Sequence, residues 1–327
     1  MAVRNRISYV YTEDFCCIAG GNLHLFFDKN KYMEKMKDTG LIDAAYVKTY
    51  VHKRERQVHK GNCGKLLIVA GSCGMAGAAV LCARGALRTG AGLVQVSAPQ
   101  ELWPVIHTGV MEATCLSRRT GDWDLNCYQA VAIGPGLGVK NENQRLIEHI
   151  LTKYHGTVVF DADALNHLAE DEDLMALAAG PKGRGCQRSC DLIITPHPGE
   201  AARLLKCSTA KIAADRIGAA KALAKKLNAV AVLKGAGTVV AVPSGETYTN
   251  TTGNPGMATG GSGDVLTGMI AALAGQGLGP LEAANCGVYL HGLAGDLGAG
   301  YWGEYSLMAS DIADSIALAI RQILEGN

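Results

Sequence analysis

Lys65-Leu-Leu-Ile-Val-Ala-Gly-Ser-Cys-Gly-Met-Ala-Gly-Ala-Ala-Val-Leu-Cys-Ala-Arg-Gly-Ala-Leu-Arg-Thr89 holds a complete strand, turn and helix in one run. Lys65–Ala70 is apolar without alternation, which suits a strand buried on both faces. Gly71 and Gly74 punctuate it, and the alanine-rich stretch 76–89 then has the composition of a helix. Outward from this unit the same order recurs. Strands are predicted at Leu93–Ser97, Gln129–Ile133, Thr157–Phe160, Asp191–Thr195 and Ala229–Leu233. Helices are predicted over 142–154, 199–206, 208–227, 264–275, 280–297 and 307–325, with Val239–Ala241 and Glu246–Thr249 as a hairpin. Buried strands alternating with helices predict an α/β fold, a mainly parallel central sheet with helices on both faces.

The chain has 327 residues, 48% of them hydrophobic, and can bury one large core of roughly 280 residues plus an extension. Its net charge of +1 and the lack of long basic runs argue against a nucleic acid or a membrane surface as partner. Eleven cysteines form no Cys-x-x-Cys pair, so they read as reduced thiols, with Cys186 and Cys190 in a loop, rather than a disulfide frame or zinc site. No stretch has the length of a membrane span, and the N-terminus lacks a basic region followed by an apolar run, so the cytoplasm is the expected compartment. Residues 1–40 differ from the rest, with Phe15, Phe26, Phe27 and the Cys16-Cys17 pair, and read as an extension of unknown role. Met33 and Met36 are each followed by a plausible start of the main domain, expected over 41–327.

Unusual short segments follow nearly every strand. They are Gly71-Ser-Cys-Gly74, Gly134-Pro-Gly136, Asp161-Ala-Asp163, Pro196-His-Pro-Gly-Glu200 and Lys234-Gly235. Ligands of open α/β sheets bind outside the carboxyl ends of the strands, so these segments are expected to line one crevice. The strongest single signal is Asn254-Pro-Gly-Met-Ala-Thr-Gly-Gly-Ser-Gly-Asp264. Gly256, Gly260, Gly261 and Gly263 make a loop whose N–H groups a ligand can approach. Val265, Leu266, Met269, Ile270 and Leu273 then have the spacing of a helix with one buried face. Asp264 is therefore placed at or near a helix N-terminus, where unpaired N–H groups and the dipole favour both phosphate and an ionised carboxylate. No Gly-x-x-x-x-Gly-Lys-Ser/Thr occurs, and neither Gly134-Pro-Gly136-Leu-Gly138 nor Gly261-Ser-Gly263 completes a dinucleotide Gly-x-Gly-x-x-Gly.

Other residues are ambiguous from sequence. His197, between two prolines, reads equally as a substrate contact or a hydrogen-bonded structural histidine. At most one of Asp161 and Asp163 is expected to reach ligand, and the other to cap the helix around Leu165–Leu168. Glu200 either opens a helix or orients Mg²⁺ or its waters. Lys234 reads as a phosphate or nucleotide ligand, against a surface lysine in a hairpin. His291 reads as a packed core histidine.

Together these segments, with His59-Lys-Gly-Asn-Cys-Gly64, Gly77-Ala78-Ala79, Arg88-Thr-Gly-Ala-Gly92, Ile133-Gly-Pro-Gly-Leu-Gly138 and Asp161-Ala-Asp-Ala-Leu-Asn166, resemble the ribokinase-like family of ADP- or ATP-dependent NAD(P)H-hydrate dehydratases. The resemblance runs from His59 to about Leu324. It implies a ribokinase-like fold and a lyase that repairs the S-epimer of hydrated NADH or NADPH. In that reaction ADP phosphorylates the C6 hydroxyl, and phosphate and AMP are released. Carried over, Ala78, Gly136, His197 and Asp264 would contact the hydrated dinucleotide. Lys234, Gly235, Ala236, Gly237, Thr238 and Gly263 would hold the nucleotide, and Asp264 would be the base. Mg²⁺ is implied with ligands unassigned, ADP is favoured over ATP, and a homo-oligomer, a tetramer, is expected. Bacterial members often carry a fused epimerase domain for which residues 1–50 are too short, so no epimerase activity is expected. The Gly180–Cys190 loop is longer and more basic than the family pattern. The alternatives are a ribokinase-like kinase of a vitamin precursor or sugar, and a nucleotide-binding regulator without catalysis.

Overall fold

A computed structural model describes residues 39–119, 123–180 and 188–326, together with the backbone of 11–12 and 15–16. The rest of the N-terminal extension and the loop at 181–187, Cys186 included, lie outside the described residues. The chain divides into a unit Met1–Gly40 and a unit Leu41–Asn327. In the first, β1 (Tyr11–Thr12) and β2 (Phe15–Cys16) pair antiparallel.

A ten-stranded sheet is formed by β3 (Gly40–Ile42), β4 (Lys65–Val69), β5 (Leu93–Ser97), β6 (Thr114–Leu116), β7 (Ala130–Ile133), β8 (Thr157–Phe160), β9 (Asp191–Ile194), β10 (Val230–Leu233), β11 (Val239–Ala241) and β12 (Thr247–Asn250). Its order is β3-β12-β11-β10-β9-β8-β7-β4-β5-β6. From β6 across to β10 every neighbouring pair is parallel, and the expected hairpin adds β11 and β12 antiparallel. Alternate residues of the buried strands serve opposite faces. Leu66 and Ile68 of β4 join one core, Leu67 and Val69 the other. This explains why the strand is apolar at every position.

The helices are α1 (Ala44–Lys48), α2 (Ala76–Arg88), α3 (Trp103–Gly109), α4 (Glu142–Lys153), α5 (Asp163–Glu170), α6 (Glu172–Ala179), α7 (Pro198–Leu204), α8 (Thr209–Ala214), α9 (Arg216–Leu227), α10 (Ser262–Gly275), α11 (Pro280–Trp302) and α12 (Ala309–Glu325). Residues of α2, α10, α11 and α12 build the first core, those of α4, α5 and α9 the second. The single helix expected over 208–227 is broken at Asp215, whose carboxylate accepts from Gly218 N at 3.0 Å and caps α9. The helix expected to end at 297 runs on to Trp302. Gly295 and Gly298 are packing positions there, facing Met257 and Leu307, and do not stop it. Cys190 lies outside helix and strand, in the bend before β9 as expected, and its side chain is fully buried in the second core.

Helix α10 also departs from its sequence reading. It begins at Ser262, so Asp264 is its third residue, and the cap is Gly261 at φ +91°, a left-handed position that favours glycine. Of the four loop glycines only Gly261 has such a φ. The helix is buried on all sides after its first turn, not on one face, because it lies between the sheet, α2 and α11.

The chain passes from β4 outward through β5 to β6, then returns to β7 on the other side of β4 and proceeds to β10. The loops after β4 and β7 leave in opposite directions at this switch point, the usual place for a crevice. They touch through Gly71 N donating to Pro135 O at 2.8 Å.

Candidate active site

At the carboxyl end of β8, Asp161 is 1% exposed, and its two oxygens are both used. Oδ1 lies 2.6 Å from Lys234 Nζ, at the end of β10, and Oδ2 accepts from Thr267 Oγ1 of α10 at 2.8 Å. Lys234 Nζ also stands 4.0 Å from Glu200 Oε2. Burial pulls the lysine pKa down, but the Asp161 and Glu200 carboxylates outweigh it and hold the value above that of an ordinary lysine. Lys234 is therefore neither a surface hairpin lysine nor a free cation. It is a charged group embedded among carboxylates.

Asp264 stands in the first turn of α10, where the amides of Gly263 and Asp264 have no carbonyl within the helix to pair with. Its own carboxylate has no hydrogen-bond or ion-pair partner among the described residues. Burial, then the charge of Asp161, raise its pKa to about 7, with Lys234 opposing and Asp163 and Glu200 adding to the rise. A half-buried carboxylate without a hydrogen-bond partner among the described residues, its pKa raised towards neutrality, is suited to general-base work at physiological pH.

Pro198 occupies the first position of α7 and His197 caps it. His197 Nδ1 accepts from Gly199 N at 2.9 Å, which assigns the proton to Nε2, facing Glu200 Oε1 at 3.2 Å. Burial, helped by Lys234 and Arg203, lowers the His197 pKa, so the ring is neutral. Glu200 Oε2 accepts from His197 N at 2.7 Å and closes a capping box. Burial raises the Glu200 pKa. The structural reading of His197 is the one the geometry shows, since the residue caps α7, while half of its side chain remains exposed beside the cavity.

A cavity of about 580 Å³ opens beside this cluster. The whole segment 234–238, Gly263 and His197 line it, together with Asn254, Ser262 and His291. His291 is buried, as expected, with Nε2 3.4 Å from Ser262 Oγ, and burial pushes its pKa down to about 4. Asp296 of α11 fixes the loop before α10 by accepting from Gly253 N and Asn254 Nδ2, each at 2.9 Å.

Ala78 and Gly136 do not line that cavity. They meet at the switch point, where a Cβ on Gly136 would come within 2.9 Å of Ala78 Cβ. Asp163 joins this side and not a helix cap. It is the first residue of α5 without a capping bond, and its Oδ2 accepts from Gly138 N at 2.8 Å. Asp163, Asn166 and Arg203 then connect the Gly136–Gly138 loop to α7 through bonds of 3.2 and 3.1 Å. The structure thus gives two neighbouring regions, a cavity at the β10 end and a crossing at the β4/β7 switch, with Asp161 and Asp264 between them. Thr267 and Asp296 escaped the sequence reading. For Thr267 a signal existed, since it lies three residues from Asp264 and so on the same helix face.

Magnesium was expected with unassigned ligands. Among the described residues no three His, Cys, Asp or Glu side chains are grouped to hold a metal.

Residues 66–317 match the model of a family described as NAD(P)H-hydrate dehydratase. A bifunctional NAD(P)H-hydrate repair enzyme of Moorella thermoacetica is 43% identical over 298 residues, which are 87% of this chain and 54% of that protein. The ADP-dependent (S)-NAD(P)H-hydrate dehydratase of Neisseria meningitidis is 42% identical over 251 residues, 75% of this chain and 80% of that protein. The crystal structure of the ADP/ATP-dependent NAD(P)H-hydrate dehydratase of Bacillus subtilis, co-crystallised with ATP and Mg²⁺, superposes with a TM-score of 0.77 at 33% identity, covering 88% of this chain and 99% of that one. This chain spans about half the length of the bifunctional curated relatives it matches.

Proposed function

The chain belongs to the NAD(P)H-hydrate dehydratase family and has its ribokinase-like fold, and on that footing we propose that it restores NADH or NADPH from the S-epimer of the hydrated dinucleotide at the expense of ADP. Hydroxide is a poor leaving group and phosphate a good one, so the nucleotide serves to convert one into the other. Asp264 accepts the proton of the C6 hydroxyl as its oxygen attacks the terminal phosphorus. The bond from that phosphorus to the bridging oxygen breaks, and AMP departs. The ring nitrogen then expels phosphate from C6, and loss of a proton from C5 leaves the double bond of the dihydronicotinamide. The observation that carries this reading is the Asp264 carboxylate, without a hydrogen-bond or ion-pair partner among the described residues, with its pKa raised to about 7 and next in the chain to Gly263 of the cavity wall.

In this proposal the segment 234–238 and Gly263 hold ADP in the cavity, which they line. Ala78 and Gly136, at the switch point, with His197 and Asp264, hold the dinucleotide. The first-turn amides of α10 stabilise charge on the transferring group. Magnesium suits this donor set as an ion borne on the nucleotide phosphates, because such ions keep most of their waters and need only one or two carboxylates. Glu200 would hold one of its waters, and the ion would neutralise the phosphate oxygens as they pass the acidic cluster. The proposal includes a tetrameric homo-oligomer, supported by the exposed Tyr301, Trp302 and Tyr305, and a cytoplasmic location. Sedimentation at micromolar concentration tests the first. Among the described residues no helix is long and apolar enough to cross a membrane.

The test is incubation of the protein with Mg²⁺, hydrated NADH and either ADP or ATP, following reduced-nicotinamide absorbance and phosphate. Recovery of absorbance with ADP is expected. A stable phosphorylated product with a vitamin precursor or sugar, and no recovery with either nucleotide, would establish the kinase alternative instead.

A further inference from the structure

We infer that Asp161 is the positioning residue of this site: its buried carboxylate, holding Lys234 with one oxygen and Thr267 with the other, fixes both the charge opposite Asp264 and the rotation of the helix turn that carries it. The inference rests on the reading of Asp264 as the base.

Three contacts support it. Thr267 is fully buried and lies three residues beyond Asp264 on α10, so its 2.8 Å bond to Asp161 Oδ2 holds the face from which Asp264 projects. Turning α10 by one residue, about 100°, would break this bond and carry the Asp264 carboxylate away from the end of β10. On the preceding residue there is no room to spare: a Cβ on Gly263 would stand 3.2 Å from Lys234 Nζ and 3.8 Å from Asp161 Oδ2. The first turn of α10 therefore lies beside the Lys234–Asp161 pair, with space for little more than a glycine between them. Finally, the pair itself is close, at 2.6 Å, whereas Glu200 reaches Lys234 only at 4.0 Å.

The groups that act on Asp264 come from every element around it. Asp161 stands at the end of β8, Asp163 on α5, Glu200 on α7 and Lys234 at the end of β10, with the buried Cys82 thiol on α2, kept neutral by its burial. Lys234 is the one cation in this group. Asp161 takes up most of its charge and adds a negative charge of its own, and both effects make Asp264 harder to ionise and hence a stronger base. Removing Asp161 reverses both, and removing Lys234 acts in the opposite sense.

Carboxyl NMR of ¹³C-aspartate-labelled protein, with the Asp264 signal assigned by its loss in D264N, reads this directly. In the wild type its midpoint is expected at about 7. D161N should move it down by about one pH unit or more, and K234M should move it up. T267V keeps every charge and the shape of the side chain. It should leave the midpoint in place, leave ADP affinity unchanged, and lower kcat about tenfold or more through misorientation. An unmoved midpoint in D161N, or a wild-type kcat in T267V, overturns the inference. T267V decides alone if D161N does not fold. A wild type inert towards hydrated NADH would instead remove the proposed function, and the titration would still report on Asp161.

Discussion

Asp264 joins two properties that oppose each other. Its ionised form is disfavoured by burial and by neighbouring carboxylates, so the fold is less stable with the charge than without it. Because the folded-state pKa lies above the unfolded one, the native state binds more protons between about pH 4 and 7, and stability falls as pH rises through that window. Asp264→Asn removes this loss. It is expected to raise Tm at pH 8 by a few degrees, corresponding to roughly 2–4 kcal/mol at most, while abolishing turnover. Calorimetry of both proteins at pH 4.5 and 8 checks the sign: the difference should be small at the lower pH. The same titration controls activity. The base works only when ionised, so kcat/KM is expected to rise with pH to a plateau, with an acid limb near 7. A rate independent of pH from 5 to 8 would exclude Asp264 as the base.

At the level of elements, the site depends on how closely α10 approaches α2. A Cβ on Gly268 would lie 1.9 Å from Cys82 O, and one on Gly85 would lie 2.4 Å from Val265 O. The two backbones are thus in direct contact just behind the turn that bears Asp264. Gly268→Ala forces them apart and is expected to destabilise the protein by about 1–3 kcal/mol or more. The mutant should also lose kcat beyond what its folded fraction explains, because the displaced helix carries Asp264. Denaturant melts combined with single-turnover rates separate the two effects. Breaks within elements matter as well. The interruption at Asp215 lets α9 begin at Arg216, whose guanidinium meets the carbonyls of Leu233 and Lys234 behind the cavity wall.

At the level of the whole molecule, the proposed ligands are held by loops from both halves of the sheet, so binding one of them should stabilise the entire unit. ADP at a hundred times its dissociation constant is expected to add about 2.7 kcal/mol, seen as a Tm rise of roughly 5 °C. Asp264→Asn should keep this shift, since the cavity lined by 234–238 stays intact. Absence of any shift in both proteins would remove ADP from that cavity. The pooled acidity of the cluster also gives a reason for the expected dependence on Mg²⁺, as three further carboxylates stand near Asp264 and only one lysine answers them.

Much of this was legible without coordinates. Buried parallel strands declare themselves by unbroken apolar runs, and the strands of the inner sheet were placed to within a residue at each end. Their loops carry the chemistry because the carboxyl edge of a parallel sheet is where helix N-termini gather. Short edge pieces such as β6 and β3 were missed, since three residues are too few to show a period. The end of α11 was placed five residues early, at 297 against Trp302, because packing against Leu307 and the rest of the core carries the helix past its glycines. The alternation, the sheet class and the identity of the groups at the strand ends follow from local composition and spacing, and so can be read from the chain alone. Which oxygen of Asp161 meets which partner, why Lys234 is embedded and why Asp264 titrates near 7 were decided by tertiary structure alone. Those properties arise from groups distant in the chain, Asp161 and Lys234 being 73 residues apart and Asp161 and Thr267 106, brought together where water screens them less.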